Sequence, residues 1–161
     1  MLTTPHDRRR PRRVGRVSAA SAPWPDGALL LFDTAPLIHW LEGSALAARF
    51  ARVFEGIDAL RWRGVVTPVT LAEIMAGPLQ HGRHGLAEQY RLLLTSGPRF
   101  QLRALDADLA VFAARLRAEH RLKLPDAIQL ATAISEGCDA LVTHDRDFPE
   151  GAGVAIFRGD D

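Results

Sequence analysis

The sequence predicts an α/β domain whose mainly parallel sheet of about five strands is covered by helices on both faces. Two patterns carry this expectation. Short apolar runs bounded by loops recur along the chain, and between them apolar residues fall at helical spacing. Size is the third observation: 161 residues that are 47% hydrophobic suffice for one substantial core, with no room for two large domains.

Taken in order, residues 1–28 are rich in Arg, Pro, Ser and Ala without apolar periodicity, and read as a flexible arm before a domain spanning 29–161. Leu29-Leu30-Leu31-Phe32 is a strand that ends in Asp33 and passes through Thr34 into the helix-like Pro36-Leu37-Ile38-His39-Trp40-Leu41. From Ala45 to Arg63, Leu46, Phe50, Val53, Phe54, Ile57 and Leu60 share one helical face. Val65-Val66-Thr67 reads as a strand, and Pro68 opens a helix that carries Glu73 near the border of its apolar face and closes at Gly77-Pro78. A loop with His81, Gly82, His84 and Gly85 leads into a helix from about Leu86 to Leu94, and Phe100 to Leu105 is a candidate strand. Asp106 is a credible cap for a helix with Leu109, Phe112, Ala113 and Leu116. Leu124-Pro125-Asp126 opens a helix that is apolar almost all round, so Asp126 meets the positive end of the helix dipole with little free water about it. Ala140-Leu141-Val142-Thr143 is a buried strand, His144-Asp145-Arg146-Asp147-Phe148 the loop after it, and Val154 to Phe157 a last short strand.

Charge and cysteine content narrow the classes. The net charge of +1 hides an asymmetry. Six arginines (Arg8, Arg9, Arg10, Arg12, Arg13 and Arg16) precede residue 28 against Asp7 and Asp26, leaving 14 of the 20 basic and 17 of the 19 acidic residues beyond them. The arm reads as a solvated tail or an over-long start of the reading frame ahead of an RNA-contacting segment, which arginines could serve through phosphate contacts. Cys138, the sole cysteine, excludes an internal disulfide and a multi-cysteine zinc site. No apolar run reaches the roughly 20 residues of a membrane span, and no signal-peptide core opens the chain. A cytoplasmic protein is expected.

The chemistry-bearing residues are four acids far apart in sequence: Asp33 and Asp145 after strands, Glu73 and Asp126 on helices. In an open parallel sheet, functional groups gather outside the carboxyl ends of the strands where strand order reverses. Four carboxylates there would hold a divalent ion against a phosphodiester, because Mg²⁺ prefers oxygen ligands and keeps several waters. Alone, Asp33 or Asp126 would be read as a helix cap and Glu73 as a solvated helix residue; it is the joint pattern that points to a site. Trp40, Trp62 and Phe54 fit a core or a dimer surface better than a base-stacking platform. The six histidines are scattered or lie in a Gly-rich loop, and solvation is their expected fate. Other classes fit less well. Ala35 stands where a haloacid-dehalogenase-like phosphatase needs a second acid, Lys123 is misplaced for a receiver domain, and no Walker-type loop occurs.

The set Leu31-Phe32-Asp33-Thr34, Thr70-Leu71-Ala72-Glu73, Leu124 to Ala133 and Val142-Thr143-His144-Asp145-Arg146-Asp147-Phe148 resembles a PIN-domain ribonuclease, most of all the VapC toxins of type II toxin-antitoxin pairs. The resemblance covers about residues 28 to 158. It implies a PIN-like three-layer α/β/α sandwich with Mg²⁺ or Mn²⁺ in an acidic pocket, hydrolysing RNA phosphodiester bonds by metal-activated water. Loops of structured RNA are the implied substrate, with transfer RNA and ribosomal RNA both open. Asp33, Glu73, Asp126 and Asp145 become the catalytic and metal-holding set. Asp33 and Asp126 are the most direct ligands, Asp145 helps to hold metal or water, and Glu73 acts through water or as a proton acceptor. Asp147, Thr34 and Thr143 are auxiliary. A small cognate antitoxin and a homodimer are implied as partners. The competing reading is a PIN-like binding module without metal, its RNA affinity supplied by the arginine arm.

Overall fold

The computed structural model describes residues 24–160; most of the expected arm, residues 1–23, lies outside them. Five strands, β1 (Leu29–Phe32), β2 (Arg63–Val66), β3 (Phe100–Leu102), β4 (Ala140–Val142) and β5 (Ala155–Phe157), form one sheet in the order β3-β2-β1-β4-β5. Every neighbouring pair is parallel. Six α-helices join them: α1 (Thr34–Glu42), α2 (Ala51–Asp58), α3 (Pro68–Gln80), α4 (His84–Thr95), α5 (Ala107–His120) and α6 (Leu124–Ser135). None of the described helices is long and apolar enough to cross a membrane.

The three-layer arrangement follows from period-2 alternation along strands buried on both faces. Leu30, Phe32, Val66, Ala140 and Val142 point into one core with Leu37, Val53, Phe54, Ile57, Trp62 and Leu94. Leu31, Val65 and Leu141 point the other way, into a core with Leu109, Ala113, Leu116 and the apolar face of α6. All seven residues from Ala127 to Ala133 are buried, as the apolar circumference of that helix requires. Cys138 is buried in the same core, and burial pushes its thiol up to about 12.

Some elements depart from the sequence reading. The expected helix from Ala45 to Arg63 is split. A 3-10 segment (Ala45–Phe50) precedes α2, which stops at Asp58, and Leu60 turns through a left-handed φ of 56° so that Arg63 can enter the sheet. The periodicity holds within α2, where Val53, Phe54 and Ile57 are buried, but Leu46 and Leu60 at its ends are exposed, and pairing of Arg63 and Gly64 with β1 claims the last residues. Gly77-Pro78 does not close α3, which runs to Gln80 with Pro78 inside it. Pro78 removes the N–H that would bond the Ile74 carbonyl, and the helix ends two residues later; there the ring nitrogen Nδ1 of His81 lies 2.8 Å from the Gly77 carbonyl. The third strand ends at Leu102, where Arg103 turns to Glu136 and Asp106. Helix α4 begins at His84, two residues before the expected Leu86.

Trp62 and Phe54 are core residues, and Trp40 stacks on Phe54 at 4.6 Å between ring centroids. Trp24 packs edge-on to Trp62 and Phe157, and the Trp62 indole N–H donates to the Pro25 carbonyl, so the segment just before β1 lies on the domain. A Cβ at Gly56 would stand 2.2 Å from the Trp62 ring. We expect Gly56→Ala to destabilise the fold, because displacing a fully buried indole costs about 1–3 kcal/mol or more and exceeds the roughly 1 kcal/mol of helix propensity that alanine gains over glycine. A lower denaturant midpoint at unchanged m-value would verify it, and an unchanged midpoint would show that Trp62 relaxes freely.

Candidate active site

The chain lays β1, β2 and β3 outward in one direction, then returns to place β4 and β5 on the other side of β1. Strand order therefore reverses between β1 and β4, and a crevice opens at their carboxyl ends. Asp33 is the residue after β1, and Thr143, His144 and Asp145 follow β4.

Asp33 is half-buried and caps α1, with Oδ1 accepting the Thr34 N–H at 2.8 Å. Its Oδ2 accepts from the Thr143 hydroxyl at 2.7 Å. That hydroxyl in turn accepts the Asp145 N–H at 2.9 Å, so one buried threonine couples the two strand-end acids. Asp145 is held again on its far side, where its Oδ1 accepts the Asp147 N–H at 2.8 Å. Arg158 braces this loop from below, donating to the carbonyls of Asp145 and Phe148 and pairing with Glu150. The sequence reading did not find that brace, because Arg158 lies past the last strand with no motif around it.

Asp126 enters from the first turn of α6, half-buried. Its carboxyl is pushed up to about 6, first by burial and then by the charges of Asp33 and Asp145, with Lys123 opposing and Asp147 adding to the rise. Asp33 is also raised. Burial is the largest cause, its bonds from Thr143 and Thr34 pull the other way, and Asp145 and Glu73 push it up. Asp33, Asp126 and Asp145 thus lie within electrostatic reach of one another, with Asp147 acting on Asp126 and Glu73 on Asp33.

Glu73 stands on the opposite rim, on α3, where its Oε2 accepts the Thr34 hydroxyl. Beneath it is a buried polar group that the sequence reading missed: Thr67, Thr70 and Gln129. Gln129 Nε2 donates to Thr70 Oγ1 at 2.6 Å, and the hydroxyls of Thr34 and Thr67 lie 3.5 Å and 3.3 Å from that oxygen. Gln129 Oε1 is buried with no hydrogen-bond partner among the described residues. A glutamine inside the apolar run Ile128-Gln129-Leu130 was the available signal. On so buried a helix an amide needs polar partners.

Among the described histidines, His39 stacks on His144 at 5.4 Å and meets Ser44, His81 is exposed, and His120 lines a recess with Asp126 and Asp147. Exposed Arg146 lines a small recess with Leu46, Arg49, Phe50 and His144.

The resemblance implies a divalent ion, and the donor set can be tested for it. Among the described residues, no three His, Cys, Asp or Glu side chains stand together closely enough to hold a metal as they lie. Mg²⁺ needs no such preformed cage, since one or two carboxylates with waters and substrate phosphate suffice. What is present is oxygen-only, and burial, with mutual repulsion adding to it, raises Asp33 and Asp126 in the direction a cation would reverse. An oxygen-only donor set of this kind suits a hard divalent ion.

An open parallel sheet in which Asp33 and Asp145 follow the two strands at its reversal point places the chain among α/β proteins whose site lies beyond the strand ends. Residues 30–154 match the PIN domain, and the protein belongs to that family. Among solved structures, it is similar to a toxin-antitoxin complex from Klebsiella pneumoniae, with 29% identity, a TM-score of 0.64, and 82% of this chain and 99% of that chain covered. VapBC2 from Rickettsia felis, bound to a fragment of promoter DNA, shares the fold at 14% identity and TM-score 0.64, covering 82% and 99%. So does Mycobacterium tuberculosis VapC20, a toxin that cleaves the sarcin-ricin loop, at 15% identity and TM-score 0.57, covering 76% and 92%. No curated protein matches the chain. The fold is that of a VapC-like PIN protein.

Proposed function

We propose that the protein is a Mg²⁺- or Mn²⁺-dependent endoribonuclease and the toxin of a type II toxin-antitoxin pair. The observation that carries this reading is the pair of strand-end acids, Asp33 and Asp145, coupled through the Thr143 hydroxyl at the reversal of strand order, with the charge of Asp126 acting beside them. When bound, a divalent ion supplies an acidified water and stabilises charge on the scissile phosphate. Asp33 is a prepositioned holder, because its two oxygens are fixed by Thr34 and Thr143 while each keeps a free lone pair. Asp126 presents its carboxylate from a rigid helix end, and Asp145, anchored at its N–H and its Oδ1, orients water. Glu73, fixed by Thr34, is the proton acceptor on the far rim.

A small antitoxin is the proposed partner, in keeping with the toxin-antitoxin complexes that share the fold. An open cleft of about 460 Å³ beside Glu73, lined by Ile38, Leu41, Ile74, Pro78 and Tyr90, offers it apolar surface. The test is cleavage of a structured RNA pool by antitoxin-free protein in Mg²⁺ or Mn²⁺. Discrete cuts that vanish in EDTA are expected. Folded protein that cuts nothing with either ion, yet binds RNA equally well in EDTA, would instead identify a metal-free binding module.

A further inference from the structure

We infer that a basic subsite adjoins the acids and binds a backbone phosphate of the RNA strand, one that flanks the scissile position. The inference rests on the nuclease reading and adds to it where the substrate strand lies. A cavity of about 250 Å³ is lined by His120, Arg121, Leu122, Lys123, Asp126 and Asp147. Asp126 and the auxiliary Asp147 thus share one recess with Arg121 and Lys123, from the turn that joins α5 to α6, and with His120 at the end of α5.

The turn is built to present them. Leu122 is buried in the core, while Arg121 and Lys123 on either side of it are exposed. Arg121 ends α5 at φ 57° and ψ 33°, a left-handed conformation that glycine normally supplies at this position. Lys123 occupies the cap position of α6 and makes no side-chain capping bond. Among the described residues neither Arg121 nor Lys123 forms an ion pair, whereas Arg103 and Arg158 are each tied to acids; His120 meets Glu119 at 3.8 Å.

Charge explains why such a subsite is needed. A carboxylate cluster repels RNA, and a divalent ion offsets this only at the scissile phosphate. The neighbouring phosphate needs its own cation. An arginine fork and a lysine point charge are the donors suited to it. The competing account makes Arg121 and Lys123 counter-ions that stabilise Asp126 and Asp147, and substitution separates the two. Arg121→Gly removes the side chain while easing the left-handed turn, so folding is kept.

The experiment uses the full chain, the Arg121→Gly and Lys123→Gln variants and their double. Anisotropy of a labelled single-stranded oligoribonucleotide is followed across a salt series in EDTA, beside cleavage kinetics in Mn²⁺ and thermal melts. Each substitution is expected to make the slope of log K against log salt shallower by about 0.7. The double should weaken binding on the order of 10-fold and raise KM with kcat held within about twofold, while Arg121→Gly melts no lower than wild type. An unchanged slope and affinity in the double would overturn the subsite even if wild type cuts RNA, as would a wild type that binds no RNA. A shallower slope in variants of a wild type that never cuts would leave the subsite standing and defeat the nuclease reading instead. Arg121→Gly melting well below wild type with unchanged RNA affinity would establish the counter-ion account.

Discussion

Asp126→Asn is expected to eliminate metal-dependent RNA cleavage while making the metal-free protein more stable at neutral pH. Groups that only orient a metal ligand cost about 10–100-fold when removed, so loss of a direct holder should exceed about 100-fold. The stability gain has a separate origin. Asp126 lies among acids, and its carboxyl titrates at about 6 in the folded chain against an ordinary 3.8. Because the folded state holds this proton more tightly, the contribution is fully present below 3.8 and lost as pH rises through about 6. At pH 7 wild type therefore carries an unfavourable ionised Asp126 that asparagine avoids.

A shift of this size corresponds to about 3 kcal/mol if unscreened, but the group is only half-buried, and solvent screening reduces it to about 1 kcal/mol. That is roughly 3–4 °C in melting temperature for a domain of this length. The check is the difference in stability between wild type and Asp126→Asn in EDTA from pH 4 to 8. The difference should be small near pH 4, grow in favour of the variant up to pH 7, and shrink when Mg²⁺ is added to wild type. A variant equally or less stable than wild type at pH 7 would show that the acids do not burden one another.

How far the sequence disclosed this arrangement depends on the scale of the signal. The parallel sheet was legible because strands buried on both faces are short continuous apolar runs, as at Leu29–Phe32 and Ala140–Val142. The positions of Asp33 and Asp145 were legible for the same reason, since a strand end is a fixed point in such a fold. Boundaries set by pairing were not. Helical spacing through Leu60 conceals that Arg63 belongs to a strand, and Pro78 reads as a helix stop although α3 accommodates it near its end. Side-chain bonds were least legible. Nothing local in the sequence ties Gln129 to Thr70, 59 residues earlier, or brings Arg158 under Asp145.

Thr143, expected from the sequence as an auxiliary residue, is where side-chain bonding should have its largest functional effect. Its hydroxyl donates to Asp33 and accepts from the Asp145 N–H in a fully buried position, so one proton and one lone pair fix both strand-end acids. Thr143→Val keeps the shape and removes both bonds. The Asp145 N–H is then left without its acceptor, at a cost of about 1–3 kcal/mol. Asp33 also loses the hydrogen bond that most restrains the rise of its carboxyl, so its proton competes more strongly with any cation. We expect cleavage to fall about 10–100-fold, with a higher Mg²⁺ requirement and an activity profile moved toward alkaline pH. Thr143→Ser, which restores the hydroxyl and loses only a methyl group, should recover most of the activity while remaining slightly less stable. If valine and serine lower activity equally, Thr143 serves packing alone and the coupling of Asp33 to Asp145 has no catalytic weight. If serine rescues and valine does not, the acids depend on that hydroxyl for their placement, and the strand-end pair works as a single unit.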